Sequence, residues 1–261
     1  MTAAPQDGAA GVRLGHLTFP EAEAWFTAGA PVVIPIGAAS KEHGHHLPLA
    51  TDAIIAERLG EAVRQALPVV VAPVVAFGYY PAFARYPGSQ HLSSATAHAL
   101  LYELIEGFVR HGVTRIALIN TGVSTEGTVE NVCRDIYSAH GVRPAFSHIR
   151  VFGGTTRGDM EQKLGGHADE HETSIMLALA PELVRLDRAV PDYGHMLAYP
   201  KTVFNQPVIF SPDPSRGPDY SAQGARGDPT LATAEKGESA FAAMVENLVE
   251  GLAALYPDLR S

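Results

Sequence analysis

The chain has 261 residues, of which 46% are hydrophobic and 18% charged, and its formal net charge is −9 at pH 7. This acidic balance argues against a nucleic-acid partner, because phosphate binding needs a concentrated basic surface. The longest apolar runs have about half the length of a membrane-spanning helix, and a single cysteine cannot form a disulfide within the chain, so we expect no membrane partner and a cytoplasmic location.

Strand-like apolar runs alternate with helical patterns along the chain. In chain order the predicted elements are a strand at Pro31–Gly37, a helix at Thr51–Leu67, a strand at Pro68–Val75, a helix at Ser94–His111, a strand at Val113–Asn120, a helix at Glu126–His140, a strand at Ala145–Phe152, a helix at Glu172–Leu179, an extended segment at Thr202–Phe210 and a helix at Leu231–Leu255. The alternation predicts an α/β fold whose mostly parallel sheet is covered on both faces. Residues 1–11 are expected to form a flexible tail, and residues 12–261 one domain.

The twelve histidines are the unusual part of the composition, and three of them fall in one short segment after the first strand. Residues 40–52 hold Glu42, His43, His45, His46 and Asp52. Imidazole and carboxylate groups together are ligands for zinc, manganese or iron. The alternative is a polar surface loop with solvated histidines, but the density of the cluster favours a metal site.

A second cluster lies in residues 165–174 and contains His167, Asp169, Glu170, His171 and Glu172. If a helix starts near Asp169, His167 lies on the loop before it and is free to face a ligand crevice. The acidic residues have a simpler explanation as well, because carboxylates in a first helical turn complement the helix dipole. Both explanations remain open for Asp169 and Glu170.

The turn after the third strand is the remaining candidate. Residues 122–125 offer backbone N–H groups before a helix, which suit a substrate carboxylate or an oxyanion. Ser124 and Thr125 serve equally well as N-caps of that helix. Cys133 lies within a helical pattern and is predicted to be a core residue, and the aromatic loop around Phe83 is predicted to line a pocket or, preferably, a subunit interface.

The two clusters resemble segments of the creatininase family, also called creatinine amidohydrolases. Residues 35–52 (PIGAASKEHGHHLPLATD) are similar to its P-x-G-x-x-E-Q-H-G-P-H-L-P-L-x-T-D segment, and residues 166–184 are similar to its G-H-A-x-x-x-E-T-S segment. Residues 224–238 (GARGDPTLATAEKGE) resemble a further stretch of relatives. The likeness extends from about Pro31 to Glu238, which is most of the chain.

The resemblance implies a three-layer α/β/α sandwich that assembles as a homo-oligomer, usually a ring-like hexamer. It also implies hydrolysis of a C–N bond in a small, usually cyclic, amide by metal-activated water. The expected cofactor is a divalent metal, zinc or manganese with iron as a further option, in one or two copies. The alternatives are a non-catalytic binding or assembly subunit and a hydrolase of a lactone, a formamide or a peptide end.

The resemblance also assigns roles to residues. It implies that His43 and Asp52 are metal ligands, that His167 assists proton transfer and that Glu172 is an acidic residue of the same site. The family's first metal-binding Glu corresponds to Lys41 here. Either Glu42 takes that role through a bulge, or Lys41 lies in the site as a fixed cation.

The turn at residues 120–125 (NTGVST) lacks the histidine and the acidic ligand of the family's N-G-H-x-x-N-like turn. One metal or two therefore both stay open, and the candidate substitutes for the missing ligands are His171, His45 and Glu126. The full set of predicted site residues consists of catalytic His167 and Glu172, metal-binding Glu42, His43, Asp52 and Glu172, and substrate-binding Lys41, His46, Ser124, Thr125 and His171.

Overall fold

The computed structural model describes residues 10–194, 203–204, 206–215 and 219–260. Its strands are β1 Val12–Arg13, β2 Val32–Ile36, β3 Val70–Val71, β4 Ile116–Asn120, β5 Ala145–His148, β6 Phe210–Ser211 and β7 Asp219–Tyr220. Its helices are α1 Phe19–Thr27, α2 Thr51–Ala66, α3 Ser94–Arg110, α4 Glu126–His140, α5 Ile149–Phe152, α6 Glu170–Leu179 and α7 Ala234–Leu255. Most of the predicted tail lies outside the described residues.

A parallel sheet with strand order β1-β3-β2-β4-β5 forms the middle layer. Strand β2 pairs with β4 along its whole length, from Val32 opposite Ile116 to Ile36 opposite Asn120. In a parallel sheet the carboxyl ends of neighbouring strands lie at one edge, where ligand crevices form. The loops that follow β2 and β4 therefore start side by side.

Side chains of successive strand residues enter two separate cores. Val32 and Ile34 pack in a core with α1, α3 and α4, whereas Val33 packs in a core with α2, α6 and α7. This alternation places helices on both faces of the sheet, because neighbouring strand residues point to opposite sides. The predicted three-layer α/β/α sandwich is confirmed. No helix in the described ranges is long and apolar enough to cross a membrane.

Most predicted elements are present, with three differences. The predicted strand at Pro68–Val75 is reduced to Val70–Val71 and an isolated bridge at Val75, because Pro73 has no N–H to donate to the ladder. The strand predicted to reach Phe152 ends at His148 and becomes a helical turn that buries Ile149 and Phe152.

The third difference is helix α1, which the sequence reading missed. Thr18 and Glu21 form a capping box at its start, and Pro20 lies in its first turn. The predicted extended segment at Thr202–Phe210 lies partly outside the described residues, and its last residue opens β6.

Helices α6 and α7 make an unusually close contact at Gly237. A Cβ atom on Gly237 would lie 1.8 Å from the backbone oxygen of Ser174, which is closer than non-bonded atoms approach. The hydroxyl of Ser174 also accepts a hydrogen bond from the backbone N–H of Thr233 at 3.2 Å. Helix α6 is therefore held directly against the start of α7.

Candidate metal centre

The loop after β2 buries three consecutive charged or titratable residues, Lys41, Glu42 and His43. His43 is fully buried, and its Nδ1 lies 2.9 Å from the carbonyl oxygen of Lys41. Because a carbonyl can only accept, Nδ1 carries the hydrogen, and Nε2 is the nitrogen left to bind a cation. Nε2 lies 3.0 Å from Oδ1 of Asp52, at the start of α2.

His167 reaches the same place from the segment before α6. Its backbone pairs with Arg226 through an antiparallel bridge, and the following Ala168 has a left-handed φ of 47°. Asp169 then caps α6, accepting a hydrogen bond from the N–H of Glu172 at 3.0 Å. Helix α6 thus starts after His167, as expected if His167 lies on the loop before the helix. Asp169 serves as a helix-terminal residue, which was the simpler of its two explanations.

The two histidines and Glu172 form a group suited to a cation. One ligand atom from each of His43, His167 and Glu172 lies within 4.8 Å of the others. Two imidazole nitrogens and a carboxylate oxygen are a common donor set for zinc and manganese. The fixed tautomer of His43 adds to the fit, since its hydrogen-bonded Nδ1 orients Nε2 as the ligand nitrogen. These residues therefore fit a divalent metal.

Glu42 contacts His167 rather than solvent. Its Oε2 lies 3.0 Å from Nε2 of His167, which donates because an ionised carboxylate can only accept. Gly224 makes this position possible: its φ is +66°, and a Cβ atom there would lie 2.0 Å from Oε1 of Glu42. With Nε2 bonded to Glu42, Nδ1 of His167 faces Glu172, whose Oε2 is 3.9 Å away.

Lys41 pairs with Asp52 inside the same site. Its Nζ lies 2.6 Å from Oδ2 of Asp52, and both side chains are almost fully buried. Burial raises the pKa of Asp52, but Lys41 and His43 lower it by more, so the pKa of this carboxyl is well below its usual range. Both Lys41 and Glu42 therefore face the site, and the two sequence alternatives for this position are not exclusive.

The remaining histidines of the two clusters have other surroundings. Burial, with a contribution from the neighbouring His43, lowers the pKa of His46 to about 4, and its Nε2 lies 2.9 Å from Oγ1 of Thr173. His45 is exposed. His171 is fully buried, and its Nε2 lies 3.0 Å from Oγ1 of Thr156. Substrate binding by His46 or His171 stays a prediction.

An aromatic wall adjoins His167. The rings of Phe83 and His167 have centroids 4.2 Å apart, and Phe83 stacks on Phe210 at 5.1 Å. Arg226 lies over the Phe210 ring at 4.6 Å and pairs with Asp219 at 3.4 Å. The sequence reading favoured an interface for the loop around Phe83 and singled out neither Phe210 nor Arg226. Arg226 lies within residues 224–238, whose similarity to a stretch of relatives could have marked it as a site residue.

The turn after β4 is tied to the site through its backbone. Thr121 Oγ1 lies within hydrogen-bonding distance of the carbonyl oxygens of Asp52 and Ile36, at 3.0 and 3.1 Å. In the described part of the chain, neither the Ser124 nor the Thr125 side chain hydrogen-bonds to the metal-binding group or caps α4. Their role in binding substrate stays a prediction.

Cys133 lies away from these groups, in the core between the sheet and α4, as predicted. Burial raises the pKa of its thiol to about 12. A thiol with so high a pKa stays protonated at neutral pH and is a poor nucleophile.

Comparison with known proteins shows which family the chain matches. The family model described as creatininase, creatinine amidohydrolase, matches residues 15–252. A creatinine amidohydrolase from Pseudomonas putida is 27% identical, over 94% of this chain and 98% of that protein. A mycofactocin precursor peptide peptidase from Mycobacterium ulcerans is 28% identical, over 87% of this chain and 86% of that protein. A mutant creatininase structure of Zn-Zn type has a TM-score of 0.79 at 25% identity, covering 95% of this chain and 100% of that one.

Proposed function

This chain belongs to the creatininase family of amidohydrolases, and from that premise we propose that it is a metal-dependent enzyme cleaving a C–N bond in a small cyclic amide. The observation that carries the proposal is the buried group of His43, His167 and Glu172, whose ligand atoms lie within 4.8 Å of one another. We propose that these three residues hold one divalent ion, zinc or manganese. When bound, such an ion would polarise an amide carbonyl and lower the pKa of a water molecule, so that hydroxide is available as the nucleophile near neutral pH.

The chain's own residues supply the positioning and the proton transfer. His43 is fixed by its bond to the Lys41 carbonyl, and Glu172 by accepting the N–H of Ala168 at 2.6 Å. The hydrogen-bonded pair of His167 and Glu42 holds a proton at His167 Nε2, 3.0 Å from the carboxylate. The pair of His167 and Glu42 would take the proton released by the attacking water, on the Glu42 carboxylate, and pass it to the departing nitrogen. Such proton transfer assists C–N cleavage by roughly 10²–10⁴-fold in rate.

A small cyclic amide is supported by the similarity to a creatinine amidohydrolase from Pseudomonas putida. Phe83 and Phe210 stack beside His167 and make this side of the site apolar. A peptide end is the second candidate, favoured by the similarity to a mycofactocin precursor peptide peptidase. A panel containing lactams, cyclic ureides, lactones and short peptides would separate these substrate classes.

The decisive test compares two histidines of the same loop, buried His43 and exposed His45. We expect His43→Ala to lose the bound metal and more than about 100-fold in kcat/KM, because it removes a ligand. His45→Ala is expected to keep both. Glu42→Gln is expected to keep the metal and lower kcat.

Absence of turnover with every substrate, together with partner binding that His43→Ala leaves intact, would instead support a non-catalytic binding or assembly subunit. The predicted homo-oligomer is a separate proposal, which light scattering of the purified protein tests directly.

A further inference from the structure

The buried lysine of the metal centre is the feature that the proposed chemistry does not use. The Lys41 side chain is only 7% exposed, and its Nζ lies 2.6 Å from Oδ2 of Asp52. It also lies 5.0 Å from the centroid of the Phe83 ring, the same ring that packs on His167. A charged ammonium in such a place is costly unless a nearby anion compensates it.

Asp52 divides its two oxygens between two partners. Oδ2 faces the ammonium of Lys41, and Oδ1 lies 3.0 Å from the ligand nitrogen of His43. One oxygen therefore contacts a cation that the protein itself supplies, and the other is directed toward the metal-binding nitrogen.

The charges of the site agree with a single added ion. Three carboxylates, those of Glu42, Asp52 and Glu172, lie close to His43 and His167. One ammonium, that of Lys41, neutralises one of the three. The two remaining negative charges match one divalent cation.

We propose that Lys41 is a built-in cation that fills the place of a second metal ion, so that this centre takes one divalent ion and is closed to another. The inference rests on the proposed function, because it presumes that the first ion binds. A second dication beside Asp52 would have to approach the fixed ammonium in a poorly screened interior. The mutant creatininase of Zn-Zn type is a relative in which the count of ions can be compared.

The test is the number of zinc ions per chain after equilibrium dialysis, measured by elemental analysis. We compare the natural sequence with Lys41→Glu, which replaces the ammonium by a carboxylate, and with Lys163→Met, a control at an exposed lysine. The natural sequence and the control are expected to bind about one ion, and Lys41→Glu about two. Circular dichroism establishes that each variant is folded.

The outcomes separate this inference from the function it rests on. Two zinc ions in the natural sequence, or one in folded Lys41→Glu, would overturn the inference and leave the proposed function standing. No bound zinc in the natural sequence would overturn both. If Lys41→Glu fails to fold, zinc-edge anomalous scattering from the natural protein decides: one peak at the His43 group supports the inference, and a second at Asp52 overturns it.

Discussion

Two lysines of this protein pair with buried carboxylates, and their surroundings differ. Lys236, in α7, donates to Glu161 at 2.7 Å, to Glu170 at 2.5 Å and to the backbone oxygen of Leu231 at 2.9 Å. Its three N–H groups have three acceptors. Lys41, in the metal centre, has one carboxylate oxygen of Asp52 and the face of an aromatic ring.

The carboxylates differ in the same way. Glu170 also accepts backbone N–H groups from Glu161 at 3.1 Å and from Gln162 at 2.7 Å, so both of its oxygens are used by the fold. Asp52 instead directs Oδ1 toward the ligand nitrogen of His43. The Lys236 ion pair is thus saturated with partners, whereas the Lys41 ion pair keeps bonding capacity for a ligand.

The largest expected effect comes from removing the saturated lysine. Lys236→Met should lower the free energy of unfolding by about 3–5 kcal/mol, because it leaves the fully buried Glu170 carboxylate without its counter-charge. Urea-induced unfolding measures the change. Glu170→Gln added to the same chain should recover much of the loss. A loss below about 1 kcal/mol would show that Lys236 contributes no more to stability than an exposed ion pair does.

Removing the lysine of the site should cost less and respond to metal. We expect Lys41→Met to lower the free energy of unfolding of the metal-free protein by about 1.5–3 kcal/mol, the range for a charged hydrogen bond. Added zinc should then reduce the difference in Tm between Lys41→Met and the natural sequence. The difference in Tm between Lys236→Met and the natural sequence should not change. Equal responses of the two variants to zinc would show that Lys41 is not linked to metal binding.

A third ion pair, nearer the surface, gives the smallest effect. Glu61 accepts hydrogen bonds from Arg64, Gln65 and Arg13, and chiefly the bond from Arg64 lowers its pKa to about 2. A lowered folded-state pKa contributes stability above the unfolded pKa of about 4.5, and that contribution is lost as the pH falls toward 2. Glu61→Gln should therefore cost about 1 kcal/mol at pH 7 and almost nothing near pH 2. Unfolding measured across this pH range, with the natural sequence as reference, tests the sign. A pH-independent cost would contradict it.

Regular periodicity made most of the fold predictable. The helix predicted at Glu126–His140 has those bounds, and the strand predicted to end at Asn120 does so. The pattern failed where one residue decides the outcome, as at Pro73, where the hydrogen-bond ladder stops. It also failed at α1, although Thr18 and Glu21 carried a capping signal that could have been used.

The candidate site was predictable in its residues but not in its pairings. Both histidine clusters were recognised, yet nothing in the spacing tells that Glu42 bonds to His167, 125 positions away, while Lys41 turns to Asp52. These pairings depend on a left-handed Gly224 and on the bridge between His167 and Arg226. Such contacts are set by tertiary packing, which a local sequence pattern does not encode.

The contact between Gly237 and Ser174 gives the end of the chain an influence on the metal centre. Glu172 lies two residues before Ser174 in α6, so a displacement of α7 would move a candidate ligand with no change in the ligands themselves. A substitution in α7 that displaces α6 is therefore expected to change metal affinity, although α7 itself supplies no candidate ligand. Selection for tighter or looser binding can act there, and laboratory evolution of this protein should sample α7 as well as the histidine loops.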